Sequence, residues 1–138
     1  MENKTMRTIK FRGKTLFGGN WIYGDLIQNK TFNKYAIVPQ DNEWHDYPLF
    51  EVDPKTIGQF TGVKDSVGRD IYEGDIMEEE HSSIKTLGVV NFSNGQFLID
   101  YKRKGKYRID ERIGYYGANV IGNIYDNPEL IEATKWHT

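Results

Sequence analysis

Polar and apolar positions alternate from Thr8 to Phe11, the two-residue period of a strand with one face toward a core. Phe17-Gly18-Gly19-Asn20 then predicts a turn, because Gly and Asn tolerate positive φ. Trp21 to Ile27 reads as a second strand, with Trp21 and Tyr23 on one face. Another turn near Asn29-Lys30-Thr31 leads to a third strand, Lys34 to Val38, and the three make an N-terminal meander. Pro39 to Pro54 is irregular and polar, carrying Asp41, Asn42, Glu43, His45 and Asp46, with an extended piece at Leu49 to Val52. Connections of this length in small domains are often functional or mobile.

The densest punctuation follows. Thr56 to Thr61 is strand-like, Gly62 to Gly68 reads as a turn, and Ile71-Tyr72 lead through Glu73-Gly74-Asp75 into Ile76-Met77. Gly74 inside an apolar run predicts a bulge or sharp bend. Leu87 to Phe92 and Gln96 to Tyr101 flank Asn94-Gly95, the strongest short hairpin signal. Val90 and Phe92 should share a face, as should Phe97, Ile99 and Tyr101. Lys102 to Lys106 is the next turn and Asn119 to Tyr125 the last strand. Asn127-Pro128-Glu129 has the order of an N-cap, a first-turn proline and an acid at the positive end of the dipole, predicting a short helix ending near Ala133.

Five short strands between Asp70 and Tyr125, closed by one helical turn, fit an SH3-like barrel, in which closure would satisfy strand edges. The expected fold is therefore mainly β: an N-terminal β meander, a C-terminal SH3-like barrel and one short C-terminal helix. The expected division is residues 1–62, with the long loop 39–54, and residues 63–138 for the barrel. A chain of 138 residues is long enough for one domain or two small subdomains sharing a core.

Composition narrows the class. Charged residues make up 28% and hydrophobic ones 38%, which suits a folded globule. Three Trp, nine Tyr and seven Phe supply core mass for a small β fold. The net charge of −2 gives no overall bias toward nucleic acid or membrane. There is no cysteine, no apolar core in Met1 to Arg7, and no run near the roughly 20 apolar residues that span a bilayer. We expect a soluble protein of the cytoplasm.

Three stretches carry a family resemblance. The first is Ile9-Lys10-Phe11-Arg12-Gly13-Lys14 with Gly19-Asn20-Trp21-Ile22-Tyr23-Gly24. The second, most specific, is Ile57-Gly58-Gln59-Phe60-Thr61-Gly62-Val63-Lys64-Asp65, then Gly68, then Ile71-Tyr72-Glu73-Gly74-Asp75-Ile76. The third is Val120-Ile121-Gly122-Asn123-Ile124-Tyr125-Asp126-Asn127-Pro128-Glu129-Leu130-Ile131. In this order they resemble the YopX family of phage and prophage proteins over nearly the whole chain. Many members carry Ala-Trp-Asp after the initial Lys-Phe-Arg, where Gly13-Lys14 stands here, so the chain resembles another subgroup. The resemblance implies an N-terminal β portion, an SH3-like C-terminal barrel and homo-oligomerisation. It supplies no catalytic residues, the family having no assigned function. The same strings also read as folding instructions: Gly62, Gly68 and Gly74 for turns and bends, Asp75 to bond a turn amide, Asn127 and Pro128 to stop the last strand.

Chemistry-bearing clusters are few. In Glu78-Glu79-Glu80-His81 strand alternation lets only Glu78 with Glu80, or Glu79 with His81, point together, which argues for a solvated acidic edge over a metal site. Asp70, Glu73 and Asp75 are more simply turn-stabilising than acid–base groups, and His45 and His137 stand without partners at recognisable spacing. No phosphate loop, nucleophile elbow or dinucleotide turn occurs. The one sharp charge feature is Lys102-Arg103-Lys104-Gly105-Lys106-Tyr107-Arg108, five of whose seven residues are basic. Thirteen of the 18 basic residues lie elsewhere against all 20 acidic ones, leaving the rest of the chain at −7. Lys102, Arg103, Lys104, Lys106, Tyr107 and Arg108 are therefore the candidate contact residues for nucleic acid or another partner. The cations would meet phosphate, and Tyr101 and Tyr107 would stack on bases. The plainer reading is a solvated hairpin tip, a lysine-protected edge, or a dock for Glu78 to Glu80 of a neighbouring subunit. The expectation is a non-enzymatic interaction or assembly module, with a nucleic-acid-binding accessory protein using 102–108 as the alternative. No cofactor, membrane contact or small-molecule ligand is expected.

Overall fold

A computed structural model describes residues 5–40, 48–102, 104–115 and 117–132. The chain divides into two compact units, Met1–Gly62 and Val63–Thr138. It is mainly β, with strands in two antiparallel sheets.

In the first unit, β1 (Phe11–Lys14), β2 (Trp21–Asn29), β3 (Lys34–Pro39) and the two-residue β4 (Phe50–Glu51) follow one another, and β5 (Gly58–Lys64) crosses the boundary. β1 lies between β2 and β5, with Lys14 opposite Trp21 and Phe11 opposite Gln59. Gly18 and Gly19 take φ of +94° and +63° in the connecting turn, where Thr15 N–H donates to Asn20 O at 2.9 Å. Ile37, Val52 and Phe60 are buried. Arg12, also buried, lies over the Trp21 ring at 4.7 Å, with Lys14 above the same ring at 5.5 Å.

The second unit begins with the end of β5, which pairs with β6 (Asp70–Tyr72). The other sheet runs β10 (Lys106–Arg108), β9 (Gln96–Asp100), β8 (Ile84–Ser93), β7 (Asp75–His81), β11 (Asn119–Asn123). Its buried cluster joins Ile71, Met77, Val90, Ile99, Tyr101, Ile109, Ile113 and Ala118. The β8–β9 turn places Asn94 at φ +53° and Gly95 at +78°, the left-handed pair of a tight hairpin, with Val90 opposite Ile99 and Phe92 opposite Phe97. Val90 is buried; Phe92, nearer the tip, is exposed and packs edge-on against Phe97 at 5.1 Å.

Several expectations shift. β1 starts at Phe11, three residues later than Thr8, because pairing begins where β2 and β5 flank it. A 3-10 turn, Pro54–Thr56, occupies the start of the expected Thr56 strand, held by Asp53 accepting from the Lys55 amide. β5 runs on to Lys64, so the turn is residues 65–69 and not 62–68. Of the loop 39–54, residues 41–47, with Glu43 and His45, lie outside the described residues, as do Arg103, Ala133 and His137. The last strand ends at Asn123, two residues before Tyr125. The expected C-terminal helix is a single 3-10 turn, Pro128–Ile131, and Asn127 does not cap it. Its Oδ1 accepts instead from the Asn123 amide, fixing the turn behind β11. No barrel closes among the described residues: β10 pairs only with β9 and β11 only with β7. After β10 the chain folds into a helical turn, α1 (Arg112–Tyr115), where continued strand would have been needed for closure.

Buried Asp65 organises the β5–β6 turn, a role the sequence reading did not assign to it. Its carboxylate accepts from the amides of Val67 (3.1 Å), Arg69 (2.8 Å) and Val120 (3.1 Å) and from Arg69 Nε (3.1 Å). Burial opposes ionisation there, but these donors outweigh it and hold the carboxyl below its usual value. Asp75, as expected, accepts from a turn amide, that of Tyr72 at 2.7 Å, and Gly74 takes φ +89° where the chain leaves one sheet for the other. Because the Asp65 pKa is lowered on folding, its stabilisation is complete above the ordinary value of 3.8 and is lost as pH falls through the folded value. Asp65→Asn should therefore cost roughly 2–4 kcal/mol in urea unfolding at pH 7, and its gap to wild type should narrow toward pH 3. A gap independent of pH would contradict the assignment.

Candidate functional site

Tyr101 leaves β9 buried in the core, so its hydroxyl needs a partner, and Glu79 Oε2 provides it at 2.8 Å. The ring lies over Gly88 of β8: a Cβ there would stand 2.8 Å from Tyr101 Cδ1 and closer still to Ile99 Cγ2. Glu79 alternates onto the same face of β7 as His81, whose Nε2 meets Glu79 Oε1.

From this anchor the chain turns back at once. Tyr101 N–H donates to Gly105 O at 3.0 Å and Lys104 N–H to Tyr101 O at 3.3 Å, with Lys102 at φ +54° and Gly105 at +99°. Tyr107 lies against Tyr101, ring centres 5.8 Å apart, and its hydroxyl donates to Lys104 O at 2.7 Å. Beyond β10, Asp110 accepts from the Arg112 amide at 2.9 Å and from its guanidinium at 2.8–3.2 Å, which fixes the start of α1. Arg112, with a smaller contribution from nearby Arg108, holds the Asp110 carboxyl below its ordinary range.

These elements enclose a cleft of about 560 Å³. Its floor is apolar, from buried Ile99, Ile113 and Tyr101; its polar lining carries Glu79, His81 and Thr86 from β7 and β8, and Lys104, Tyr107, Arg108, Asp110 and Arg112 from the segment that follows β9. Both carboxylates are engaged, Glu79 by Tyr101 and His81, Asp110 by Arg112. Against these two carboxylates stand Lys104, Arg108 and Arg112. Lys104 Nζ donates to the neutral Thr86 hydroxyl at 3.1 Å, and Arg108 makes no hydrogen bond or ion pair among the described residues. The cleft can thus accept an anion.

Of the candidate contact residues, Lys104, Tyr107 and Arg108 line the cleft, while Lys102 and Lys106 are exposed on the same loop. Tyr101 is corrected: buried at 8% exposure, it positions the loop from the cleft floor and is not a solvent-exposed stacking platform. Tyr107, 54% exposed, can. Sequence reading missed Thr86, Asp110 and Arg112; only Asp110, an Asx residue two before Arg112, carried a local signal, that of a helical start. Among the described residues no group of three or more His, Asp or Glu side chains comes together to hold a metal.

The fold and site define a two-sheet, mainly β protein with a cation-walled cleft beside a basic loop. Residues 10–132 match the YopX protein family, and the chain belongs to that family. Two crystal structures share its fold. One, protein EF1440 from Enterococcus faecalis, is 20% identical, with a TM-score of 0.62 covering 92% of this chain and 100% of that one. The other, protein yopX from Bacillus subtilis, is 21% identical, with a TM-score of 0.60 covering 93% and 98%. No curated protein matches the chain.

The Tyr101 hydroxyl gives the site a measurable signature. Burial first, then the Glu79 hydrogen bond and charge, raise its pKa above the ordinary 10.0. Its stabilisation is thus complete below pH 10.0 and lost as pH rises through the higher folded value. Tyr101→Phe should lower stability by about 1–2 kcal/mol at pH 7, and should lose less further stability above pH 10 than wild type does. Gly88→Ala should cost roughly 1–3 kcal/mol by overpacking. Thermal unfolding across pH reads both, and an alkaline decline identical in wild type and Tyr101→Phe would rule out the Tyr101 assignment.

Proposed function

We propose that this YopX-family chain is a non-enzymatic interaction module of phage or prophage origin that works in the cytoplasm and engages an anionic partner through loop 102–108. The observation that carries the reading is the charge arrangement around the cleft: Lys104, Arg108 and Arg112 stand against two carboxylates, Glu79 and Asp110, that already hold internal hydrogen bonds. Among the described residues no helix is long and apolar enough to cross a membrane.

An anionic partner can be a second copy of the chain. The acidic run offers exposed Glu80 beside half-buried Glu78, which keeps a contact of only 3.9 Å with Lys85. Self-association through this pairing would weaken with salt. The second reading, an accessory protein that binds nucleic acid, draws on the exposed Tyr107 ring among these cations.

Two measurements separate the readings. Light scattering over a range of concentration and ionic strength should give a salt-sensitive oligomer that Lys106→Glu weakens if the partner is another copy. If the partner is nucleic acid, a fluorescent single-stranded oligonucleotide should bind, and Lys104→Glu with Lys106→Glu should reduce affinity roughly tenfold or more at low salt while lowering the salt slope by about 1.4 units. A salt-insensitive monomer that binds no oligonucleotide would refute both.

A further inference from the structure

We propose that the cleft of the second unit is a nucleotide site, taking a nucleoside phosphate with its phosphate against Lys104 and Arg108 and its base against Tyr107. The inference rests on loop 102–108 being the contact surface and adds what enters behind it.

The sign of the ligand follows from the balance of charges. Arg112, with Arg108 nearby, offsets Asp110, while Glu79 is bonded to the Tyr101 hydroxyl and the His81 ring and keeps its charge, so Lys104, Arg108 and Arg112 leave the cleft cationic on balance. A guanidinium and an ammonium suit a phosphate, one as a planar fork and one as a point charge. The size excludes an anion alone. A cleft of about 560 Å³ falls in the range of small-molecule sites, roughly 300–1,000 Å³. A phosphate or sulfate ion would leave the floor of Ile99 and Ile113 uncovered. A planar ring would cover that floor and meet Tyr107, whose ring is half exposed at the wall.

The polar remainder suits a base and sugar. A carboxylate offers about four lone-pair sites, so Glu79, which among the described residues accepts only from Tyr101 and His81, keeps acceptor capacity for an exocyclic amine or a sugar hydroxyl. The walls are also pre-positioned. Tyr107 is tied to the Lys104 carbonyl, Lys104 to Thr86, and Tyr101 to Glu79, so a ligand meets side chains whose ordering is already done. The chemistry is shared by a free nucleotide and by the terminal nucleotide of a single strand.

Calorimetry of the full chain with adenosine 5′-monophosphate at low ionic strength tests the site. Saturable binding is expected, with adenosine and inorganic phosphate each at least roughly tenfold weaker. Arg108→Gln should weaken binding roughly tenfold or more, and Tyr107→Leu should weaken it while Tyr107→Phe restores it. Lys30→Glu, on an exposed residue of the first unit outside the cleft, should leave it unchanged. A 5′-phosphorylated single-stranded oligonucleotide that binds tighter than the mononucleotide identifies a strand end as the source; equal or weaker binding identifies the free nucleotide. No saturable binding by folded protein, or binding indifferent to both Arg108→Gln and Tyr107→Leu, overturns the proposal. If the mononucleotide fails while Lys106→Glu weakens self-association, or Lys104→Glu with Lys106→Glu weakens oligonucleotide binding, the contact loop stands and the nucleotide site alone falls.

Discussion

The second unit's site depends on one side chain, Tyr101. A tyrosine at the end of β9 could have turned outward and left the following residues as a loose, solvated loop. It is buried instead, because Gly88 on the neighbouring strand leaves room for its ring, and Glu79 accepts from its hydroxyl. A buried hydroxyl without that acceptor would cost about 1–3 kcal/mol, so ring and carboxylate require each other. Once the ring is fixed, Gly105 and Lys104 bond back to the Tyr101 backbone, Tyr107 packs on it, and the basic loop is held over a cleft.

Carboxylates divide into two kinds in this unit. Asp65 and Asp75 are buried and spend their oxygens on backbone amides, so they specify turns. Glu79 and Asp110 stand at the cleft and spend theirs on a hydroxyl, an imidazole and a guanidinium. The first kind shapes the sheet; the second ties the cleft's side chains in place, and Lys104, Arg108 and Arg112 still outnumber it there. A chain with a net charge of −2 can therefore present a locally cationic surface.

The strings that mark the chain as a YopX protein belong to the first kind. Asp65, Gly74 and Asp75 in the central string, and Asn123 and Asn127 in the last, are accounted for by turns and hydrogen bonds. Lys104, Tyr107 and Arg108 lie outside all three strings, so the strings that carry the resemblance are not those that line the cleft.

The sequence by itself determined the β class, the Asn94-Gly95 hairpin, the bend at Gly74 and the amide-bonding role of Asp75, all properties of one residue or of near neighbours in the chain. It also located the basic loop, since charge density is local. It misjudged the third string, where Asn-Pro-Glu reads as a helix start but Asn127 Oδ1 is drawn back to Asn123, and it closed a barrel that α1 interrupts. It read Tyr101 as a stacking platform because exposure cannot be seen in a residue's neighbours along the chain. Only the tertiary structure could bring Glu79 of β7, Gly88 of β8 and Tyr101 of β9 together and set Asp110 and Arg112 beside Lys104. Strand pairing joins residues far apart in sequence, and it is burial of that Tyr101 ring that turned a run of basic residues into the wall of a cleft.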